Sequence, residues 1–236
     1  MSAAQRLYRL RWVVLPPLTG IGILAMLVGA VVAAPRELVE GDVQRLMYIH
    51  IPSAFAMYLA VAVLFAASIM VLWKRDMRWD AAARGAAGVG VLFSGFALAT
   101  GSLWGKPTWG VYWQWDARLT STLVLFLILI AYLLARTVSD PDDEQSARYS
   151  AVYAIVGSLD VPLIMMSVRW WRTLHPQPIV ARLDPQLPGS MGLVLLISTI
   201  AILLLTVWLI ALRTDTERLG QRLLGLRAAV DRREEA

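Results

Sequence analysis

Six apolar stretches divide this chain: Pro17–Ala34, Ala54–Trp73, Ala83–Leu103, Leu119–Arg136, Tyr149–Val168 and Met191–Leu212. Each is long enough, as an α-helix, to cross a hydrocarbon layer about 30 Å thick. Lipid offers the backbone no hydrogen-bond partners, and helices satisfy every peptide group within the segment itself. The sequence therefore predicts an all-α integral membrane protein, a bundle of six transmembrane helices forming a single domain over 1–236. The composition agrees, with 58% hydrophobic and 17% charged residues and a mean hydropathy of +0.60. Residues outside the spans leave no room for a large soluble domain. The chain has no cysteine, which excludes disulfides, thiolate nucleophiles, iron–sulfur ligation and thioether attachment of a cofactor to this chain.

The first stretch follows Arg6, Arg9 and Arg11 and ends in Val32-Ala33-Ala34, much as a secretory signal would. Its apolar run exceeds the roughly 7–15 residues of such a signal, so an uncleaved first helix is expected. A formal charge of +5 would suggest nucleic acid in a soluble protein; in a multi-span protein it is read first as a topology signal, and no nucleic-acid partner is expected. Fifteen of the 22 Lys and Arg residues fall in the N-terminus, the second and fourth loops and the C-terminus. That bias places both termini in the cytoplasm and the first, third and fifth loops outside. Arg213–Ala236, with Leu219, Leu223, Leu224 and Leu226 among arginines, is expected to form a cytoplasmic amphipathic tail against the lipid bilayer, or else a docking element for a cytoplasmic partner. The run Asp140, Asp142, Asp143, Glu144 reads as a solvated connector. Gly85, Gly88, Gly90 and Gly95 read as helix-packing positions. No Walker A pattern occurs, so ATP, if used, is hydrolysed by another chain.

Both histidines of the chain, His50 and His175, fall on the outer side. His50 is expected at the end of the first outer loop, with Pro52 opening the second helix; His175 lies in the third outer loop. Two imidazoles on one face suit a metal that takes only two protein ligands, and nothing in the sequence supports a closed zinc site. Between them, the second outer loop carries Trp104, Trp109, Tyr112, Trp113 and Trp115 with glycines interleaved. An interfacial aromatic belt accounts for Trp12, Trp73, Trp79 and Trp208. A cluster this dense on one loop instead offers indole faces to a large flat ligand. The third loop adds Trp170 and Trp171, and Arg45, Arg118 and Arg172 can pair with carboxylates. A flat macrocycle, a metal accepting two imidazoles and carboxylates at the rim together describe haem. Asp116 is expected to cap the fourth helix, with a hydrogen bond at the haem site as a compatible role. Asp160, inside the fifth stretch, is expected to support the bend at Pro162 through a buried hydrogen bond.

The segment Trp109-Gly110-Val111-Tyr112-Trp113-Gln114-Trp115-Asp116 resembles the W-G-x-x-W-x-W-D signature of the haem-handling proteins of cytochrome c biogenesis. Together with Tyr48-Ile49-His50-Ile51-Pro52 and Trp170-Trp171-Arg172-Thr173-Leu174-His175, it is similar to the CcmC branch over nearly the whole chain. Two positions depart from that pattern: Tyr112 stands where tryptophan is common, and Pro176 follows His175. The resemblance implies that His50 and His175 are axial ligands of haem b and that Trp109, Trp113, Trp115 and Asp116 belong to its platform. It implies a multi-pass protein of the bacterial inner membrane whose periplasmic haem is presented to the chaperone CcmE, which binds it covalently. It further implies a complex with the ATPase CcmA, the membrane subunit CcmB and the small CcmD. No residue is an evident catalytic acid or base, so enzymatic assistance to covalent attachment is left open. The alternative is a transporter that moves haem through the bundle.

Overall fold

The computed structural model describes residues 3–139, 143–175 and 187–234. Asp140 and Asp142 of the acidic connector, Pro176, Arg182 and the side chains of Arg6, Arg9, Arg232 and Arg233 lie outside the described residues. The helices are α1 (Ala3–Val28), α2 (Met47–Lys74), α3 (Met77–Trp109), α4 (Ala117–Val138), α5 (Glu144–Ser158), α6 (Asp160–Trp170) and α7 (Gly189–Glu234). A π-helical turn, Gly29–Ala33, extends α1, and a 3-10 turn, Asp42–Leu46, leads into α2. Among the described residues, six helical stretches are long and apolar enough to cross a membrane, with α5 and α6 together making the fifth. Among the described residues there is no strand, only an isolated bridge between Glu37 and Gly41. The start of α1 and the end of α7 lie at one end of the bundle, the terminal end, and both histidines at the other, the histidine end.

The helices outrun their apolar cores because capping groups sit in polar sequence. Asp76 caps α3 by accepting the Arg78 N–H at 2.9 Å, and Asp143 caps α5 by accepting that of Gln145 at 2.9 Å. Pro52 does not open α2: the 3-10 turn runs straight into a helix that starts at Met47, so His50 stands on a helix rather than at a loop end. The longest element, α7, is unbroken over 46 residues. At 1.5 Å per residue that is about 69 Å, more than twice the hydrocarbon thickness. Arg213–Glu234 therefore continues the last span. It exposes Leu219, Leu223, Leu226 and Val230, whose four-three-four spacing lines one helix face.

The core is built from small and branched residues at helical spacing. Ala56, Ala60, Val61 and Leu64 of α2 meet Ala83, Ala86, Ala87 and Phe93 of α3, with Leu125 and Leu129 of α4 and Ala201 and Ile202 of α7 completing it. Gly85 has its expected packing role: a Cβ there would lie 2.8 Å from Thr214 Oγ1 and 2.9 Å from the Thr214 backbone nitrogen.

The terminal end holds ion pairs that the charge count treats only as a topology signal. Arg136 Nη2 lies 2.8 Å from Asp80 Oδ2, with each side chain 1% exposed. Arg136 also donates to Ser146 Oγ at 3.1 Å, and Arg84 pairs with Glu217 at 2.8 Å. Arg11 and Asp215 join α1 to α7. These pairs tie α1, α3 and α4 to one another and to α7 where the apolar packing ends.

Candidate functional site

At the histidine end, α3 does most of the positioning. Its last turns carry Thr100, Gly101, Trp104 and Trp109 in helical register, and Gly110 ends the helix with φ 81°, a left-handed conformation that favours glycine. The chain then folds back: Lys106 Nζ donates to the Gly110 carbonyl at 2.9 Å and Ser102 Oγ to that of Tyr112 at 2.8 Å. The loop Gly110–Asp116 is thereby fastened to α3 before α4 begins.

His50 faces these turns. Its Nδ1 lies 3.1 Å from Thr100 Oγ1, and that oxygen lies 2.6 Å from the Phe96 carbonyl. The single hydroxyl proton goes to the carbonyl, which can only accept. His50 Nδ1 must then be the donor, and Nε2 is left as the nitrogen available to a metal. Gly101 backs the ring so closely that a Cβ there would fall 2.9 Å from His50 Cε1. Trp104 meets the imidazole edge-on with centroids 5.8 Å apart. Its indole N–H donates to Glu40 Oε2 at 2.8 Å, and Thr108 Oγ1 donates to Glu40 Oε1 at 3.1 Å. Glu40 thus clasps the first loop to α3. Beside it, Glu37 accepts the backbone N–H groups of Glu40 and Val39, which hold its carboxyl below the usual range, Glu40 foremost.

The second histidine meets the first although 125 residues separate them. The rings of His50 and His175 lie 6.4 Å apart with planes inclined by 33°. Trp109 stands at 6.1 Å from His175 in an edge arrangement. Asp116 makes the expected cap, with Oδ1 accepting the Leu119 N–H at 2.8 Å. Its Oδ2 accepts the Leu174 N–H at 3.2 Å. One carboxylate therefore fixes both the start of α4 and the residue preceding His175.

The remaining candidates divide. Arg118 opens α4 in the electrostatic field of His50 and in hydrogen-bond contact with Tyr58, and its Nη1 is shielded without a partner among the described residues. Arg45 is turned away: it donates to the carbonyls of Ala30 and Val31 at the end of the first span and pairs with Asp42 at 3.3 Å. Trp113 and Trp115 form their own edge-to-face pair at 5.4 Å, and Trp113 Nε1 is shielded without a partner among the described residues. Trp170 and Trp171 pair at 5.8 Å and are largely exposed, as is Arg172. The site residues that the sequence reading did not single out are Thr100, Gly101 and Glu40. None of the three carries a signal in the sequence, whereas Trp104, which also meets His50, stands at the head of the aromatic cluster.

This donor set fits a flat macrocycle whose metal takes one ligand on each face and whose rim carries anions. It offers two facing imidazoles, indole rings around them and an arginine nitrogen in need of an acceptor. Among the described residues no three His, Asp or Glu side chains converge on a point, so the geometry does not build a closed cation site.

Residues 1–228 match the CcmC family, described as heme exporter protein C. A heme exporter protein C of Bradyrhizobium diazoefficiens is 39% identical over 222 residues, covering 92% of this chain and 84% of that protein. The heme exporter protein C of Escherichia coli K12 is 34% identical over 179 residues, 74% of this chain and 72% of the other. A ccmC-like mitochondrial protein of cytochrome c biosynthesis from Marchantia polymorpha is 34% identical over 158 residues, 67% and 66% of the two chains. With six helices fit to span a membrane and a match over almost its full length, the chain belongs to the heme exporter protein C family of cytochrome c maturation.

Proposed function

We propose that this protein holds haem b between His50 and His175 and presents it to the haem chaperone CcmE during cytochrome c maturation. The histidine end faces the periplasm in this reading, and the termini, with fifteen of the 22 basic residues on their side, face the cytoplasm. The observation that carries the proposal is the spacing of the two rings. Imidazoles bound on opposite faces of one iron at about 2 Å have centroids roughly 6.3 Å apart, and those of His50 and His175 are 6.4 Å apart. The bond to Thr100 leaves His50 Nε2 for the iron, in the manner of outer-shell groups that fix a ligand's tautomer. Trp104 and Trp109 stand in edge contact with the two imidazoles, Trp113 and Trp115 extend the platform, and Arg118 offers its shielded Nη1 to a propionate. Arg172 is exposed at the same end and adds positive charge there, whereas Arg45, paired with Asp42, braces the end of the first span. The chain supplies no phosphate-binding loop, consistent with partners CcmA, CcmB and CcmD providing the energy-coupled step.

The test is the visible spectrum of the protein purified with its partners, oxidised and reduced, for the wild type, His50→Ala and His175→Ala. A low-spin haem spectrum lost or converted to high-spin by either substitution is expected. Unchanged spectra in both variants remove the ligand assignment. Absence of haem from every preparation made in haem-replete cells removes the function.

A further inference from the structure

The fifth span contains an ionisable residue that the haem site does not use. Asp160 opens α6 where the helix breaks at Leu159. It stands 10 residues before the end of α6 at Trp170, about 15 Å along the axis, which is near the middle of a hydrocarbon layer of about 30 Å. The hydrogen bond expected to brace the bend is not made: Asp160 Oδ2 is shielded and has no partner among the described residues. A carboxylate at that depth is costly unless something answers it.

The surroundings say what is missing. Pro162 has no N–H, so the Ser158 carbonyl loses its helical donor. Ser158 Oγ donates to the Ala154 carbonyl at 2.7 Å and the Leu159 N–H is turned to the Val156 carbonyl at 3.1 Å, so neither of these donors serves Asp160. The kink thus leaves Asp160 Oδ2 without a donor among the described residues. Along the same helix the nearest basic residues are Arg148 and Arg169, roughly 18 and 13 Å away by helical rise. Around Asp160, Val156, Leu159 and Leu163 are exposed at 63%, 62% and 36%, an apolar face open to lipid or to another helix.

We propose that the kink at Ser158–Pro162 is a docking notch for a transmembrane helix of a partner subunit, which presents a lysine or arginine to Asp160 at bilayer mid-depth. Charge complementarity selects this occupant: the notch has a part-buried carboxylate with an unpartnered oxygen, and the apolar residues on either side pack against the rest of a membrane-spanning helix. The proposal stands independently of the haem ligands.

The test uses the full chain, tagged and purified from its native membrane with the associated subunits. Asp160→Asn keeps the shape and removes the charge; Asp160→Glu keeps the charge. Recovery of a partner membrane subunit is expected to fall about tenfold in Asp160→Asn and to be retained in Asp160→Glu. A photoreactive side chain in place of Val156, in an otherwise unaltered chain, is expected to cross-link to a peptide from a partner span bearing a basic residue near its middle. Reversing that residue to aspartate is expected to restore recovery with Asp160→Lys. Unchanged partner recovery in Asp160→Asn, or cross-links confined to lipid or to a second copy of this chain, overturns the proposal. Loss of haem with partners retained also overturns it, because the carboxylate then serves the cargo.

Discussion

Gly101 is the most exacting position in the proposed haem site, and Gly101→Ala is the variant that tests the geometry with least disturbance elsewhere. The new Cβ would stand 2.9 Å from His50 Cε1, 3.4 Å from Nδ1 and 3.8 Å from Nε2. Carbon atoms settle at about 3.5–4.0 Å, so the ring must retreat by roughly 0.6–1 Å. The 3.1 Å contact with Thr100 would then stretch past the usual limit of about 3.5 Å for a hydrogen bond. For the fold, a gain of about 1 kcal/mol in helix propensity offsets a rotamer cost of about 0.5–1.5 kcal/mol, leaving stability nearly unchanged. Metal coordination is less forgiving, since a ligand distance tolerates only about 0.2 Å. The expected outcome is a protein that folds with normal thermal stability but loses much of its low-spin haem spectrum and its haem on dilution. Gly95→Ala is the control on the same helix: its Cβ would meet Phe126 at an ordinary 3.5 Å, so the spectrum should be unaltered. Wild-type haem content and spectrum in Gly101→Ala would refute the placement of His50.

Three further perturbations separate other parts of the structure. Thr100→Val removes the acceptor for Nδ1 without changing volume much. Haem affinity should fall about 10–100-fold with a shifted reduction potential, Thr100→Ser should restore both, and a titration with haem reads the result. Asp116→Ala removes the α4 cap, worth about 1 kcal/mol, and the tie to Leu174; melting temperature and haem retention should drop together, and a loss of stability alone would uncouple Asp116 from the site. Arg136→Ala or Asp80→Ala leaves one buried charge unanswered, at a cost of about 3–5 kcal/mol. The double variant Asp80→Leu with Arg136→Met should be less destabilised than either single change, as measured by denaturant unfolding in detergent.

The spans were legible because lipid imposes one rule on every segment, and apolar length follows it directly. Caps were partly legible: Asp116 announces itself just ahead of an apolar run, and it does cap α4. The start of α2 was not, because a proline six positions inside a helix looks like the beginning of one when the preceding 3-10 turn carries polar residues. His50, His175 and Trp109 come together at the histidine end, as the aromatic and imidazole content suggested. Thr100 and Glu40 were invisible, since a threonine in an apolar run and a glutamate in a loop have no signature until the fold places them against His50 and Trp104. The same holds for Arg136, which the sequence places at the end of the fourth apolar stretch and the packing assigns to Asp80.

The unbroken course of α7 fixes something besides length. Because the helix does not fray or turn at the ion pairs of Asp215 and Glu217, the compass bearing of Leu219, Leu223, Leu226 and Val230 is dictated by the residues gripped inside the bundle. One residue added just after Glu217 would swing that stripe by about 100°, whereas seven would return it to nearly the same bearing and lift it by roughly 10.5 Å. The final helix therefore works as a graduated ruler, setting at once the height and the direction at which anything beyond the membrane meets this protein.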